Sequence, residues 1–85
     1  MKKEKIYKEP IKAEEETTIN VIYDENVLSI YTNKVSLQKQ LNKLIGEPTE
    51  EYRIKRSISG SMWRITLDDK VKISRMILKA NIFEL

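Results

Sequence analysis

The order in which the hydrophobic period changes along this 85-residue chain predicts an α+β fold: ββαββα order, with a four-stranded, largely antiparallel sheet and two helices packed on one face. Three observations lead there. Alternation with a period of two, in β-branched and aromatic residues, occurs in two pairs of short runs. Each pair is followed by apolar residues at helical spacing. Both strand sets and both helices have one apolar face, and the simplest way to bury all of them is one sheet under two helices.

The first pair opens at Thr17. Ile19, Val21 and Tyr23 alternate with Thr18, Asn20 and Ile22, the pattern of a half-buried strand over 17–23. Asp24-Glu25-Asn26 breaks the run, and Val27 to Thr32 resumes it with Leu28 and Ile30 on one face and Val27, Ser29 and Tyr31 on the other. A helix over 34–45 follows. Thr32 or Asn33 can accept from its first-turn N–H groups, and Leu37, Leu41, Leu44 and Ile45 form its stripe. Gly46 supplies a C-terminal cap of positive φ and Pro48 forbids continuation.

The second pair repeats the pattern. Tyr52, Ile54 and Ile58 alternate with Arg53, Lys55 and Ser57, then Trp63, Ile65 and Leu67 alternate with Met62, Arg64 and Thr66. Strands over 52–58 and 62–67 turned at Gly60 account for both runs, because glycine accepts the positive φ of tight hairpin turns. Asp68 or Asp69 then caps a helix over 69–80 whose stripe is Ile73, Met76, Ile77 and Ala80. Ile82, Phe83 and Leu85 extend along the core or add a short strand. Setting Lys34-Val35 on Lys70-Val71 aligns Leu37 with Ile73, Lys39 with Arg75, Leu41 with Ile77 and Lys43 with Lys79 at one offset of 36 residues. Duplication and shared patterning of lysine-rich helices both explain this. The expected core is Leu37, Leu41, Ile54, Trp63, Ile65, Ile73 and Ile77, with the rings of Tyr23 and Tyr52 also buried.

Residues 1–16 carry five lysines and five glutamates with only Ile6, Tyr7 and Ile11 as sizeable apolar groups. That balance cannot offset the entropy of ordering, so 1–16 is expected as a disordered charged tail and 17–85 as one small domain. The net charge is +3. Eight basic residues between Arg53 and Lys79 against Asp68 and Asp69 place it in the C-terminal half.

Chemistry is limited by what is missing. Without cysteine there is no disulfide, thiolate site or thiol nucleophile; without histidine the chain lacks the side chain that titrates nearest neutrality and the commonest metal ligand. A cytoplasmic protein with no cofactor and no metal is expected. The basic start runs into Glu9, Pro10 and Glu14–Glu16 instead of an apolar run, so no export signal is expected there, and no stretch reaches the roughly 20 apolar residues of a membrane span. The adjacent carboxylates Asp24/Glu25, Glu50/Glu51 and Asp68/Asp69 fall in loops and at a helix cap, and the serines around Gly60 lack a base. A non-enzymatic binding module is expected.

One surface stands out. The polar sides of the strands offer Asn20, Ser29, Tyr31, Arg53, Lys55, Met62 and Arg64, a basic face with an aromatic ring and no acid among them. Tyr31, Arg53, Lys55 and Arg64 are therefore the candidate nucleic-acid-binding residues, through phosphate contacts and base stacking. Ile22, Val27 and Met62 on the same side equally mark a protein interface or self-association. The leading expectation is a protein-interaction module; the alternative is a nucleic-acid-binding or regulatory module.

The runs Thr17-Thr18-Ile19-Asn20-Val21, Ile30-Tyr31-Thr32-Asn33, Ile45-Gly46-Glu47-Pro48-Thr49 and Ile58-Ser59-Gly60, with Trp63 following, resemble a group of small uncharacterised proteins of clostridia and related Firmicutes, often associated with conjugative mobile elements. The resemblance spans roughly residues 17–79. It implies a bacterial cytoplasmic protein of a mobile element and carries over no functional residue.

Overall fold

The computed structural model describes residues 4–83. A short 3-10 turn at Lys12–Glu14 precedes β1 (Thr17–Ile22), β2 (Val27–Thr32), α1 (Val35–Ile45), β3 (Glu50–Ile54), β4 (Ser57–Thr66) and α2 (Lys70–Lys79). The strands form one four-stranded antiparallel sheet in the order β1-β2-β4-β3, and the chain is α+β. Because β2 and β3 both run antiparallel to β4, β2–α1–β3 is a parallel crossover. This carries α1 across β4, and α2 packs beside α1.

Facing pairs fix which side each strand residue takes. Ile19, Ile30 and Trp63 form one row across the sheet, and Val21, Leu28 and Ile65 the next. These rows meet Leu37, Leu41 and Ile45 of α1 and Met76 of α2 in a single buried cluster, with Leu44, Leu67, Ile73, Ala80 and Ile82 packed round it. Burying each large apolar side chain is worth about 1.5–3 kcal/mol. Trp63 also donates its indole N–H to the Gly46 carbonyl at 2.9 Å, tying the end of α1 to the middle of the sheet.

Helix ends follow the capping logic with one exchange of roles. Asp69 caps α2 by accepting from the Lys72 N–H at 3.1 Å. Gly46 closes α1 at φ 99°. At the start of α1 the cap position is Lys34; the Thr32 hydroxyl accepts from the Lys34 N–H, and Asn33 turns away to bond elsewhere.

The second hairpin departs from the sequence reading. Its turn is Lys55–Arg56, with Lys55 at φ 57°, and Gly60 lies inside β4. The pairing turns β3 over relative to the expected faces: Glu50 and Tyr52 lie opposite the outward Met62 and Gly60, Arg53 falls on the helix side, and Ile54 points outward and is 50% exposed; a bulge at Ser59 of β4 then sets Arg53 opposite the buried Ile58. Ile77 and Tyr23 are likewise exposed, and Tyr52 half so: α2 turns Met76 inward in place of Ile77, Tyr23 lies in the turn after β1, and Tyr52 is on the sheet face away from the helices, against Tyr31. The 36-residue offset therefore pairs Leu41, fully buried, with exposed Ile77.

Residues 4–16, expected as a free tail, are placed along the domain; residues 1–3 and Leu85 lie outside the described residues. Ile6 to Lys8 run beside the start of β4 in parallel, the Ile58 N–H donating to the Ile6 carbonyl at 2.7 Å and the Lys8 N–H to the Ile58 carbonyl at 2.8 Å. This is the stretch of β4 that β2 does not reach, since β2 ends opposite Ser61. Farther along, Asn33 receives the Glu16 N–H at 2.8 Å and donates to the Glu14 carbonyl at 2.7 Å, a side chain standing in for a strand neighbour.

Candidate interaction surfaces

The sheet face away from the helices is built from the rows Thr18–Tyr31–Met62–Glu50 and Asn20–Ser29–Arg64. Tyr31 lies flat across Gly60: a Cβ built there would stand 2.6 Å from the Tyr31 hydroxyl oxygen. The Tyr52 ring meets Tyr31 edge-on at 5.7 Å, and its hydroxyl donates to Glu50 Oε2 at 2.7 Å. That hydrogen bond raises the Tyr52 phenol above its ordinary pKa, while burial and then the charge of Glu16 raise Tyr31.

Of the candidate nucleic-acid residues, the structure brings only Tyr31 and Arg64 to this face. Arg64 lies 3.0 Å from the Glu25 carboxylate. Arg53 is on the helix side of β3, 3.1 Å from Glu51, and Lys55 is in the hairpin turn. Glu50, opposite Met62, and Glu25, in the β1–β2 turn beside Arg64, bring acid to a face that the alternation left without it. The cause in β3 is the pairing register, which sets Glu50 and Tyr52 outward, and alternation within one strand cannot say which of its two faces the partner strand turns inward.

The uncompensated positive charge is on the other side of the molecule. α1 and α2 contain no acidic residue, and Lys39, Lys43, Lys70, Lys72, Arg75 and Lys79 are all exposed. Lys72 approaches Asp69 at 4.0 Å and Lys39 stands 5.8 Å from the Tyr7 ring centre. The signal for this surface was present in the sequence as two acid-free helical stretches.

A third feature joins the N-terminal segment to α1 and β3. Lys5 bridges Glu47 and Glu51, 2.7 Å from the latter, and Asn42 donates to the Tyr7 hydroxyl at 3.1 Å. Burial opposes the Lys5 charge, but the two carboxylates outweigh it and raise the ammonium pKa; the Lys5 contact in turn lowers Glu51 against its own burial. Among the described residues, no three carboxylates gather where a metal ion could be held.

The fourth surface is apolar. β1 is an outer strand, and on its helix side Ile19 is 38% and Val21 43% exposed. The two ends of α2 lie near opposite ends of β1, so the helix runs antiparallel to it. At one end Asn26 donates to Asp68 at 2.9 Å; at the other Ile82 and Phe83 share a groove with Glu16 and Thr17. At about 100° per residue, Ile77, Lys70, Ser74, Leu78 and Val71 follow Ile73 round one flank of α2, with Lys70 at its first turn, and Lys72, Arg75 and Lys79 take the other. Val71, Ile77 and Leu78 are all well exposed.

No family model, curated protein or solved structure matches the chain. Among the described residues no helix is long and apolar enough to cross a membrane.

Proposed function

We propose that this protein is a non-enzymatic protein-interaction module that binds through the surface formed by β1 and α2. The observation that supports this reading is the half-exposed pair Ile19 and Val21 on the helix side of the outer strand, together with the exposed Val71, Ile77 and Leu78 of α2. Contiguous apolar surface of this kind is a mark of interaction sites on small soluble folds. The sheet face is a poorer polyanion site than its strand sequence implied, because its arginine is matched by Glu25 and Glu50 lies beside Tyr52.

A second reading, nucleic-acid binding, is favoured by the acid-free helices, and it moves from the sheet to the six exposed cations of α1 and α2. Capture from a bacterial host with and without nuclease separates the two. The expected result is a protein that stays bound after nuclease and is lost with Ile77→Lys. Recovery that disappears with nuclease, together with duplex binding whose log affinity falls with log salt at about −0.9 per neutralised phosphate, replaces the first reading with the second. In that event replacing Lys43, Arg75 and Lys79 by glutamine abolishes binding, and replacing Arg53, Lys55 and Arg64 does not.

A further inference from the structure

We propose that β1 is a self-pairing edge, along which two copies of this chain join antiparallel about a two-fold axis at Ile19 to make one continuous sheet with all four helices on the same side. The proposal rests on the protein-interaction reading and names the partner as a second copy.

The main chain supplies the first argument. The Asn33 N–H donates to the Glu16 carbonyl at 3.3 Å, so Glu16 directs its backbone groups at β2. In an antiparallel ladder alternate residues do the same, which assigns Thr18, Asn20 and Ile22 to β2 and points the N–H and C=O of Thr17, Ile19 and Val21 away from the sheet. The Leu67 N–H to Asn26 carbonyl bond, 2.9 Å, fixes the same alternation from the other side of β2. Among the described residues no strand lies beyond β1.

The second argument is the chemistry of the two edges. Exposed edges are ordinarily guarded by charge, proline or bulges. β3, the opposite edge, has Glu50, Glu51 and Arg53 within five residues and a bulge in its pairing. From Thr17 to Tyr23 the chain has no charge and no proline, and β1 pairs without irregularity.

The third argument selects a second copy and its register. Centred on Ile19, the pairing sets Ile19 against its own counterpart and Thr17 against Val21, and uses the outward groups of all three residues in each copy, about six hydrogen bonds at two per facing pair. A dyad one residue farther, at Asn20, places Glu16 opposite Asp24 of the other copy. Only a perpendicular axis keeps the strands antiparallel, and it sets both α2 helices on one side. There the two copies bring their Ile19 and Val21 side chains together, covering apolar surface left half-exposed in the single chain. The strand is neutral and matches itself, which a partner carrying a complementary charge would not exploit.

Sedimentation equilibrium and amide hydrogen exchange on the full chain test this. Twice the chain mass is expected at tens of micromolar, with the Thr17, Ile19 and Val21 amides exchanging at least tenfold more slowly than on dilution. Ile19→Lys and Ile19→Glu each put like charges face to face and are expected to be monomeric with wild-type circular dichroism. Mixed in equal amounts they are expected to restore a dimer, which no general loss of folding can mimic. A wild-type chain of single mass up to about millimolar overturns the proposal, as does a dimer whose three outward amides exchange as fast as on dilution, or one that both variants retain. A monomer that still captures a nuclease-resistant protein partner overturns self-pairing alone and leaves the module reading standing.

Discussion

Gly60 shows how a residue can be read correctly as constrained and wrongly as to cause. Its neighbours Ser59 and Ser61 suggest a turn, but the space its side chain would need is filled by the Tyr31 ring. That contact comes from another strand, and no local pattern announces it. Gly60→Ala is expected to cost about 1–3 kcal/mol in urea melts through overpacking, with part recovered in the double variant with Tyr31→Ala. An unchanged midpoint for Gly60→Ala would mean that the ring moves aside freely. Gln38 is a second such case. It is fully buried in α1, accepts the Ser61 hydroxyl at 2.7 Å, and has no partner at Nε2. Ser61→Ala leaves the Gln38 carbonyl unpaired as well and is expected to cost about 1–3 kcal/mol, whereas Ser61→Ala combined with Gln38→Leu is expected to be near neutral. A double variant as unstable as the single one would show that Gln38 contributes through packing alone.

The N-terminal segment is an element that composition hides, because main-chain bonds, Tyr7 and an ion pair hold it while Ile6 and Ile11 stay exposed. Its main chain completes the row beside β4, and Lys5 fixes it through Glu47 and Glu51. Glu51 is held below the ordinary carboxylate range by Lys5, so its contribution is full above about pH 4 and is lost as pH falls through its lower folded value. Lys5 is held above its ordinary range despite burial, so its contribution is full below about pH 10 and is lost as pH rises through its higher folded value. The segment is therefore expected to be held most firmly between those limits. In an acid titration the Lys8 and Ile58 amide resonances should move together, and Lys5→Met should remove that step; two unrelated titration curves would separate the ion pair from the docking. By contrast α1 was legible in its stripe and its end, though not in its cap, which is Lys34. Its stripe, its closing Gly46 and the following Pro48 are all local signals, and Leu37, Leu41 and Ile45 are buried as the spacing requires. β3 was legible as a strand but not in its facing, because the register with β4 sets Tyr52 opposite Gly60 on the outer face, and with it half of the candidate site changed place: Arg53 is on the helix side and Lys55 in the turn, off the face that Tyr31 and Arg64 kept.

What unites these parts is a core only one side chain deep, so the layers depend on a few residues that touch both. Trp63 is the chief of them. It is 2% exposed, sits in a row with Ile30 at the centre of the sheet, and holds the last turn of α1 through Gly46. Chains of this length carry about 0.05–0.15 kcal/mol of stability per residue, roughly 4–13 kcal/mol in all. Trp63→Ala, at about 3–5 kcal/mol, removes a large part of that and is expected to leave the chain largely unfolded at 37 °C. Trp63→Phe keeps most of the buried ring but loses the donor to Gly46, and should fall between that variant and wild type. Tyr23→Ala removes an 83% exposed ring and should change stability by less than about 0.5 kcal/mol. Thermal melts followed by far-ultraviolet circular dichroism, at a concentration low enough to keep the chain monomeric, rank the three. If Trp63→Ala melts within a few degrees of wild type while Tyr23→Ala does not, the packed layer runs through the β1 margin instead, and the apolar surface there is core and no longer free to bind.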